Sequence, residues 1–119
     1  MMGHVVALDF GATSGRVILG EVARDHLRMR VTGRFANRPV HVRGRLHWDV
    51  LALWQGAIDG LTVALREAPE VSSIATDTWG VDYGLLRGGT LLGNPSHYRD
   101  ERTNAVVDRV QGRMPHPEQ

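Results

Sequence analysis

The sequence predicts an α/β domain built on a mixed sheet that opens as a β-meander. Three observations predict it. Two short apolar runs near the N-terminus are joined by a turn of small residues; a third segment alternates apolar and charged residues; a long stretch of helical period then leads into another apolar run. Three strands able to pair as a meander, followed by a helix that returns to a parallel strand, make a mixed-sheet arrangement.

His4 to Asp9 is apolar and short enough for a buried strand, and Phe10-Gly11-Ala12-Thr13-Ser14-Gly15 turns the chain. Arg16 to Val22 resumes the apolar run, and Arg24-Asp25-His26 is a polar break of hairpin length. Beyond it, Leu27, Met29, Val31 and Phe35 fall on one face and Arg28, Arg30, Thr32 and Arg34 on the other, the period of a half-buried antiparallel strand. The arginine row is read as a solvated face whose charges keep other sheets from docking; phosphate binding is the second account. Asn37 to His47, with Pro39 and Gly44, reads as a loop. Asp49 can cap a helix running to about Ala68, its carboxylate accepting the free N–H groups of the first turn. Val50, Trp54, Ile58, Leu61 and Leu65 recur at helical spacing and predict the buried stripe. Pro69 and Glu70 close that helix, Val71 to Asp77 is a strand, and Arg87-Gly88-Gly89-Thr90 turns. A last helix is expected after Asp100 with Val106, Val107 and Val110. Residues 1–113 are taken as one partial domain, and 114–119 as an unpacked tail or truncation point.

Composition narrows the chemistry. The chain has 119 residues, formal net charge +1 and no cysteine, which excludes disulfides and thiol-based metal or redox sites. All of its basic residues are Arg, so neither a phosphate-loop lysine nor a Schiff-base lysine is possible. The charge balance gives no reason to expect nucleic acid as a partner. No apolar run approaches membrane-spanning length, and the Met-Met-Gly-His start is read as carrying no secretion signal. There is no GxGxxG, and Gly11 to Arg16 is too short and lacks the lysine of a Walker loop.

Two constellations can carry function. In the first, Asp9 ends a strand just before Phe10-Gly11, and Gly11 and Gly15 let the backbone turn tightly. Free N–H groups between Ala12 and Arg16 can form a concave donor surface for phosphate, with hydroxyls from Thr13 and Ser14 and a forked cation from Arg16. A carboxylate beside such a cradle suits hydrated Mg²⁺. A plain hairpin turn with Asp9 capping backbone groups is the competing account. The second constellation, Thr76-Asp77-Thr78-Trp79-Gly80-Val81-Asp82-Tyr83, follows a strand end, where α/β folds place ligands. Its aromatic faces and acceptors suit a polyhydroxylated ligand; a packed aromatic corner with two solvated acids remains equally open. Trp48 and Trp54 are expected as core or loop anchors. In His97-Tyr98-Arg99-Asp100-Glu101-Arg102-Thr103, Asp100 reads as a cap and His97 as a surface or packing histidine. The histidines show no metal-ligand spacing.

Leu8 to Val17, Thr76 to Tyr83 and Tyr98 to Asn104, in this order and spacing, together with His47-Trp48-Asp49, resemble the rhamnulokinase branch of the FGGY carbohydrate kinases. The resemblance extends to about Val110, and the Asp77 to Asp82 motif is its specific part. It implies an actin-like, ribonuclease-H-like ATPase fold, of which this would be an incomplete N-terminal domain. It also implies ATP and Mg²⁺ as cofactors, a cytoplasmic location, and transfer of a phosphoryl group to O1 of a ketose such as L-rhamnulose. By position, Asp9 would help hold Mg²⁺; Gly11, Ala12, Thr13, Ser14, Gly15 and Arg16 would cradle ATP phosphates; Gly80, Trp79, Val81 and Asp82 would meet the sugar. The resemblance places the general-base aspartate and the adenine segment further along than Gln119. None of Asp77, Asp82 or Asp100 aligns with that base, so no catalytic residue is assigned and little turnover is expected without the remaining C-terminal part. L-fuculose and D-xylulose stay open as substrates. So do a non-catalytic sugar- or nucleotide-binding module and an actin-like ATPase.

Overall fold

The computed structural model describes residues 2–114, so the tail expected at 114–119 lies outside the described residues beyond Met114. Strands β1 (Gly3–Phe10), β2 (Ser14–Val22) and β3 (Leu27–Ala36) form the expected antiparallel meander. A hairpin, β4 (Val40–Val42) and β5 (Arg45–His47), leads into helix α1 (Val50–Glu67). Strand β6 (Val71–Thr78) returns parallel to β1, and the sheet order is β3-β2-β1-β6. A short hairpin, β7 (Leu86–Arg87) and β8 (Thr90–Leu91), precedes a 3-10 turn at Glu101–Thr103 and helix α2 (Asn104–Gln111). No described helix is long and apolar enough to cross a membrane.

The β4–β5 hairpin corrects the expectation of a loop over Asn37 to His47. Val40 pairs with His47 and Val42 with Arg45 across a two-residue turn in which Arg43 and Gly44 both have positive φ, 51° and 73°. That turn matches the right-handed twist of short hairpins.

Helix α1 begins and ends where its capping residues predict. Asp49 Oδ1 accepts the Ala52 N–H at 3.1 Å, and the Ala68 N–H donates to Ala64 O at 2.9 Å before Pro69 ends the helix. The buried face is not the expected one. Leu53, Ala57, Gly60 and Ala64 face the sheet, whereas Trp54 is 65% exposed and Ile58 and Leu65 are also exposed. Close approach decides this. A Cβ on Gly33 of β3 would lie 2.7 Å from Gly60 Cα, and one on Gly60 would lie 2.7 Å from the Cβ of Val17. Only a small-residue row admits backbones this close, so the large apolar residues are turned aside. Of the expected stripe, Leu61 is half-buried and packs against the core, while Val50, Trp54 and Ile58 line an apolar groove with Leu8, Phe10 and Thr76.

A bulge in β3 corrects the second expectation. Val17 pairs with Gly33 and Ile18 with Val31, so Thr32 is the extra residue and the alternation reverses there. Phe35 therefore faces α1, where its ring occupies the space above Gly15 and Gly56. Leu27, Met29 and Val31 lie on the opposite face and are exposed. Arg28 and Arg30 are solvent-exposed, as expected, but lie on the α1 side, paired with Glu21 and Glu67, so the expected single row is split. Arg34 is carried to the face away from α1. Thr32 Oγ1 donates to Gly60 O at 3.0 Å, which ties the bulge to the helix.

Candidate active site

Parallel pairing of β1 and β6 sets the geometry. Asp9 pairs with Asp77 and Phe10 with Thr78, so the turn after β1 and the loop after β6 leave the sheet at the same edge. The structure thus brings the two predicted constellations side by side, at the strand ends where α/β folds form ligand crevices.

In the first turn, the Gly11 N–H donates to Ser14 O at 2.8 Å, which removes that amide from any anion nest. Among the described residues no backbone acceptor takes the Ala12 or Thr13 N–H. Ser14, Gly15 and Arg16 lie within β2. Arg16 donates from Nε to Asp9 Oδ2 at 3.1 Å, and its Nη2 makes a second, shorter contact to the same oxygen. Asp9 Oδ2 is engaged by this pair; a carboxylate beside a turn whose amides suit phosphate is compatible with hydrated Mg²⁺, whose other ligands are waters and phosphate oxygens.

Asn37 is a residue of this site that sequence reasoning missed. It is 4% exposed; its N–H donates to Thr13 O at 2.9 Å and its Nδ2 to Gly11 O at 2.8 Å. These bonds hook the end of β3 onto the turn. Its Oδ1 is buried with no donor among the described residues. The only sequence signal was a polar residue at the start of an apparent loop, which does not distinguish a clamp from a linker.

The second loop is held by an aromatic stack. Trp48 is buried, with Trp79 on one side at 3.9 Å between centroids and His97 also at 3.9 Å. Asp82 Oδ2 accepts the indole N–H of Trp48 at 2.5 Å and the Tyr98 N–H at 3.0 Å. Asp82 is therefore occupied as a bracket between Trp48 and Tyr98. Val81 is 84% exposed with φ 70°, a left-handed conformation rare for a β-branched residue. Among the described residues, no atom other than those of Gly80 and its two chain neighbours lies within 4 Å of where a Gly80 side chain would begin. Trp48, Trp79, Asp82, Tyr83 and Pro95 line a cavity of about 190 Å³ beside this loop.

Asp100 and His97 anchor the layer beneath. Asp100 is buried, accepts the Leu46 N–H at 2.6 Å and the Arg102 N–H at 3.0 Å, and has Arg45 and Arg102 beside it. The Leu46 N–H holds its pKa below the ordinary value; burial opposes, and Arg102 and Arg45 assist. His97 Nδ1 accepts the Arg99 N–H at 3.0 Å, so the neutral ring carries its proton on Nε2. Burial lowers its pKa, partly offset by Asp82 and reinforced by Arg99. Both residues are structural, as the cap and packing roles predicted, and no described group of side chains could hold a metal by His, Asp and Glu ligation alone.

No protein-family profile matches the chain. It is 39% identical over 115 residues to a rhamnulokinase of Bacteroides thetaiotaomicron, an alignment covering 96% of this chain and 24% of that protein. It is 40% identical over 116 residues to a rhamnulokinase of Pectobacterium atrosepticum, covering 93% and 23%. The chain thus spans about a quarter of the length of these relatives. Among solved structures, it is similar to a gluconate kinase from Lactobacillus acidophilus, with TM-score 0.74, 13% identity and coverage of 95% and 23%. It is also similar to a Plasmodium falciparum glycerol kinase solved with ADP, with TM-score 0.61, 12% identity and coverage of 96% and 24%. At such identities these structures establish the fold alone, a mixed α/β sheet opening with a β-meander, as in the N-terminal part of FGGY sugar kinases with their actin-like fold.

Proposed function

We propose that this chain, a homologue of the N-terminal quarter of the rhamnulokinases and so related to the FGGY carbohydrate kinases, forms the phosphate-binding turn and one wall of the sugar pocket of an ATP-dependent ketose kinase. L-rhamnulose is the proposed acceptor, through its 1-hydroxyl. Ala12 and Thr13 offer amides, Thr13 and Ser14 hydroxyls, and Arg16 a guanidinium to the phosphates, while Asp9 helps hold the hydrated Mg²⁺. Trp79, Gly80 and Val81 line the sugar side. Asp82, which the sequence offered as a sugar contact, contributes by bracing Trp48 and Tyr98 behind that wall. Bound at this site, magnesium nucleotide supplies the γ-phosphoryl group and the charge neutralisation that such transfers require. The acceptor hydroxyl must lose its proton to a base, and no carboxylate described here is assigned that role. The observation that supports this reading most is the Asp9–Asp77 register, which puts the turn and the sugar-side loop at one sheet edge.

The test is calorimetry of the 119-residue chain with Mg-ATP. Uptake that weakens at least tenfold in Asp9→Ala or Arg16→Ala is expected, as charge-assisted contacts of this kind are lost. Binding indifferent to both changes, or no uptake at all, would refute the phosphate role. Steady ADP release with L-rhamnulose from this chain alone would refute the statement that its carboxylates include no base.

A further inference from the structure

The bulge at Thr32 has a chemical consequence for the same sheet edge. Residues paired directly across strands share a face. Arg34 pairs with Arg16, Arg16 with Asp9, and Asp9 with Asp77, so one row of charged side chains crosses all four strands on the face away from α1. The centre of the row is neutralised by the Arg16–Asp9 ion pair. Its Arg34 end is not. The arginine ion pairs among the described residues involve Arg16, Arg28, Arg30, Arg45 and Arg102, and Arg34 is exposed.

Like charges set directly opposite each other destabilise a sheet, so an Arg16–Arg34 pair is a cost to the unliganded chain, which the Asp9 carboxylate on Arg16 offsets only in part. An anion lying between the two guanidinium groups turns that cost into attraction, and phosphate suits the forked donors of arginine. The backbone places such an anion in register with the turn. Asn37, three residues beyond Arg34, hooks β3 to Thr13 O and Gly11 O, so Arg34 and the free Ala12 and Thr13 amides belong to one braced unit. We propose that Arg34 is a second phosphate-binding arginine, gripping the triphosphate tail of the nucleotide together with Arg16. The proposal rests on the phosphate role of the turn given above. It adds a residue from a different strand, which the turn motif itself does not contain.

The experiment uses the 119-residue chain with inorganic tripolyphosphate and Mg²⁺, followed by calorimetry and by the rise in thermal midpoint. Arg34→Gln is expected to weaken tripolyphosphate binding roughly tenfold and to flatten its salt dependence, as loss of a charge-assisted contact implies. Its midpoint without ligand should equal or exceed that of the unmodified chain, because a like-charge pair has been removed. Arg28→Gln makes the same change in net charge at the far end of the sheet, beside Glu21, and should alter binding less than about twofold, as a distant screened charge does. If Arg34→Gln does not fold, Arg34→Lys carries the test, since it keeps the charge and loses the fork; weakened binding is again expected. If the chain binds tripolyphosphate, Arg16→Gln weakens it, and neither Arg34 variant does, the proposal is overturned and the phosphate turn stands. If the unmodified chain binds none, both fall.

Discussion

Replacing Gly60 with Ala tests how α1 is seated on the sheet. The new methyl would lie 2.7 Å from the Cβ of Val17, a fully buried side chain, and 3.2 Å from Gly33 Cα. Carbon atoms prefer separations of about 3.5–4.0 Å, so the helix must retreat by about 1 Å. Neither neighbour can yield by a rotamer change, because one is a Cβ and the other backbone. Overpacking of this sort costs about 1–3 kcal/mol. Retreat also stretches the Thr32 Oγ1 bond to Gly60 O, now 3.0 Å, a contact worth about 1 kcal/mol. Against both stands the better helix propensity of Ala, about 1 kcal/mol. The net expectation is about 2 kcal/mol of destabilisation, or roughly 1 M off the urea midpoint. Adding Val17→Ala removes the Val17 Cγ2 methyl, the atom nearest the new group, and leaves the Cβ; it should relieve part of the clash and make the pair less destabilised than the sum of the singles by at least about 0.5 kcal/mol, as contacting sites couple. A Gly60→Ala chain that gains stability, as helix propensity alone predicts, would refute the close-approach account.

The two tryptophans should behave in opposite ways. Trp48→Ala is expected to cost about 3–5 kcal/mol in denaturant unfolding because its ring is buried in the aromatic stack, whereas Trp54→Ala, on the exposed side of α1, should stay within about 1 kcal/mol. Val81→Gly relieves a left-handed β-branched residue and should raise stability by up to about 1 kcal/mol; a loss would mean that the Val81 side chain holds the loop. Because the folded pKa of His97 lies below its ordinary 6.5, acid should destabilise the chain as pH falls below that value, where the unfolded chain takes up a proton that the folded one refuses. His97→Gln should flatten the thermal-midpoint profile in that window. Asp100, held below its ordinary 3.8, contributes stability that is present above that pH and lost as pH falls through the lower folded value. An Asp100→Asn chain showing the same acid limb as the parent would show that the Leu46 contact is not its source.

Patterns spanning a few residues were legible directly. The meander, the α1 caps at Asp49 and Ala68, and the return strand β6 follow from local periodicity and from turn and capping chemistry, which depend on neighbours in sequence. The loop expected at Asn37–His47 hid a hairpin because Val40–Val42 and Arg45–His47 are too short for alternation to stand out. The stripe on α1 was misjudged because hydrophobicity ranks Trp54 and Ile58 above Gly60 and Ala64. Which face is buried was decided by the Gly33 backbone and the Val17 side chain across from it. The bulge at Thr32 reversed the faces of β3, and a strict period of two cannot register an inserted residue.

The sequence by itself determined the order of the four main-sheet strands and the two helices, the Asp9 to Arg16 turn, the Thr76 to Tyr83 motif and kinship with FGGY kinases, because each is written in short local segments. Only the tertiary structure decided that those two segments share an edge, that Asp82 braces Trp48 and Tyr98, that Asn37 clamps the turn, and that Arg34 stands beside Arg16. All four depend on strand register or on side-chain partners 16 to 68 positions apart. A hydrogen bond or a cross-strand pair is set by distance in space, and local propensity carries no information about which distant residue will supply its other half.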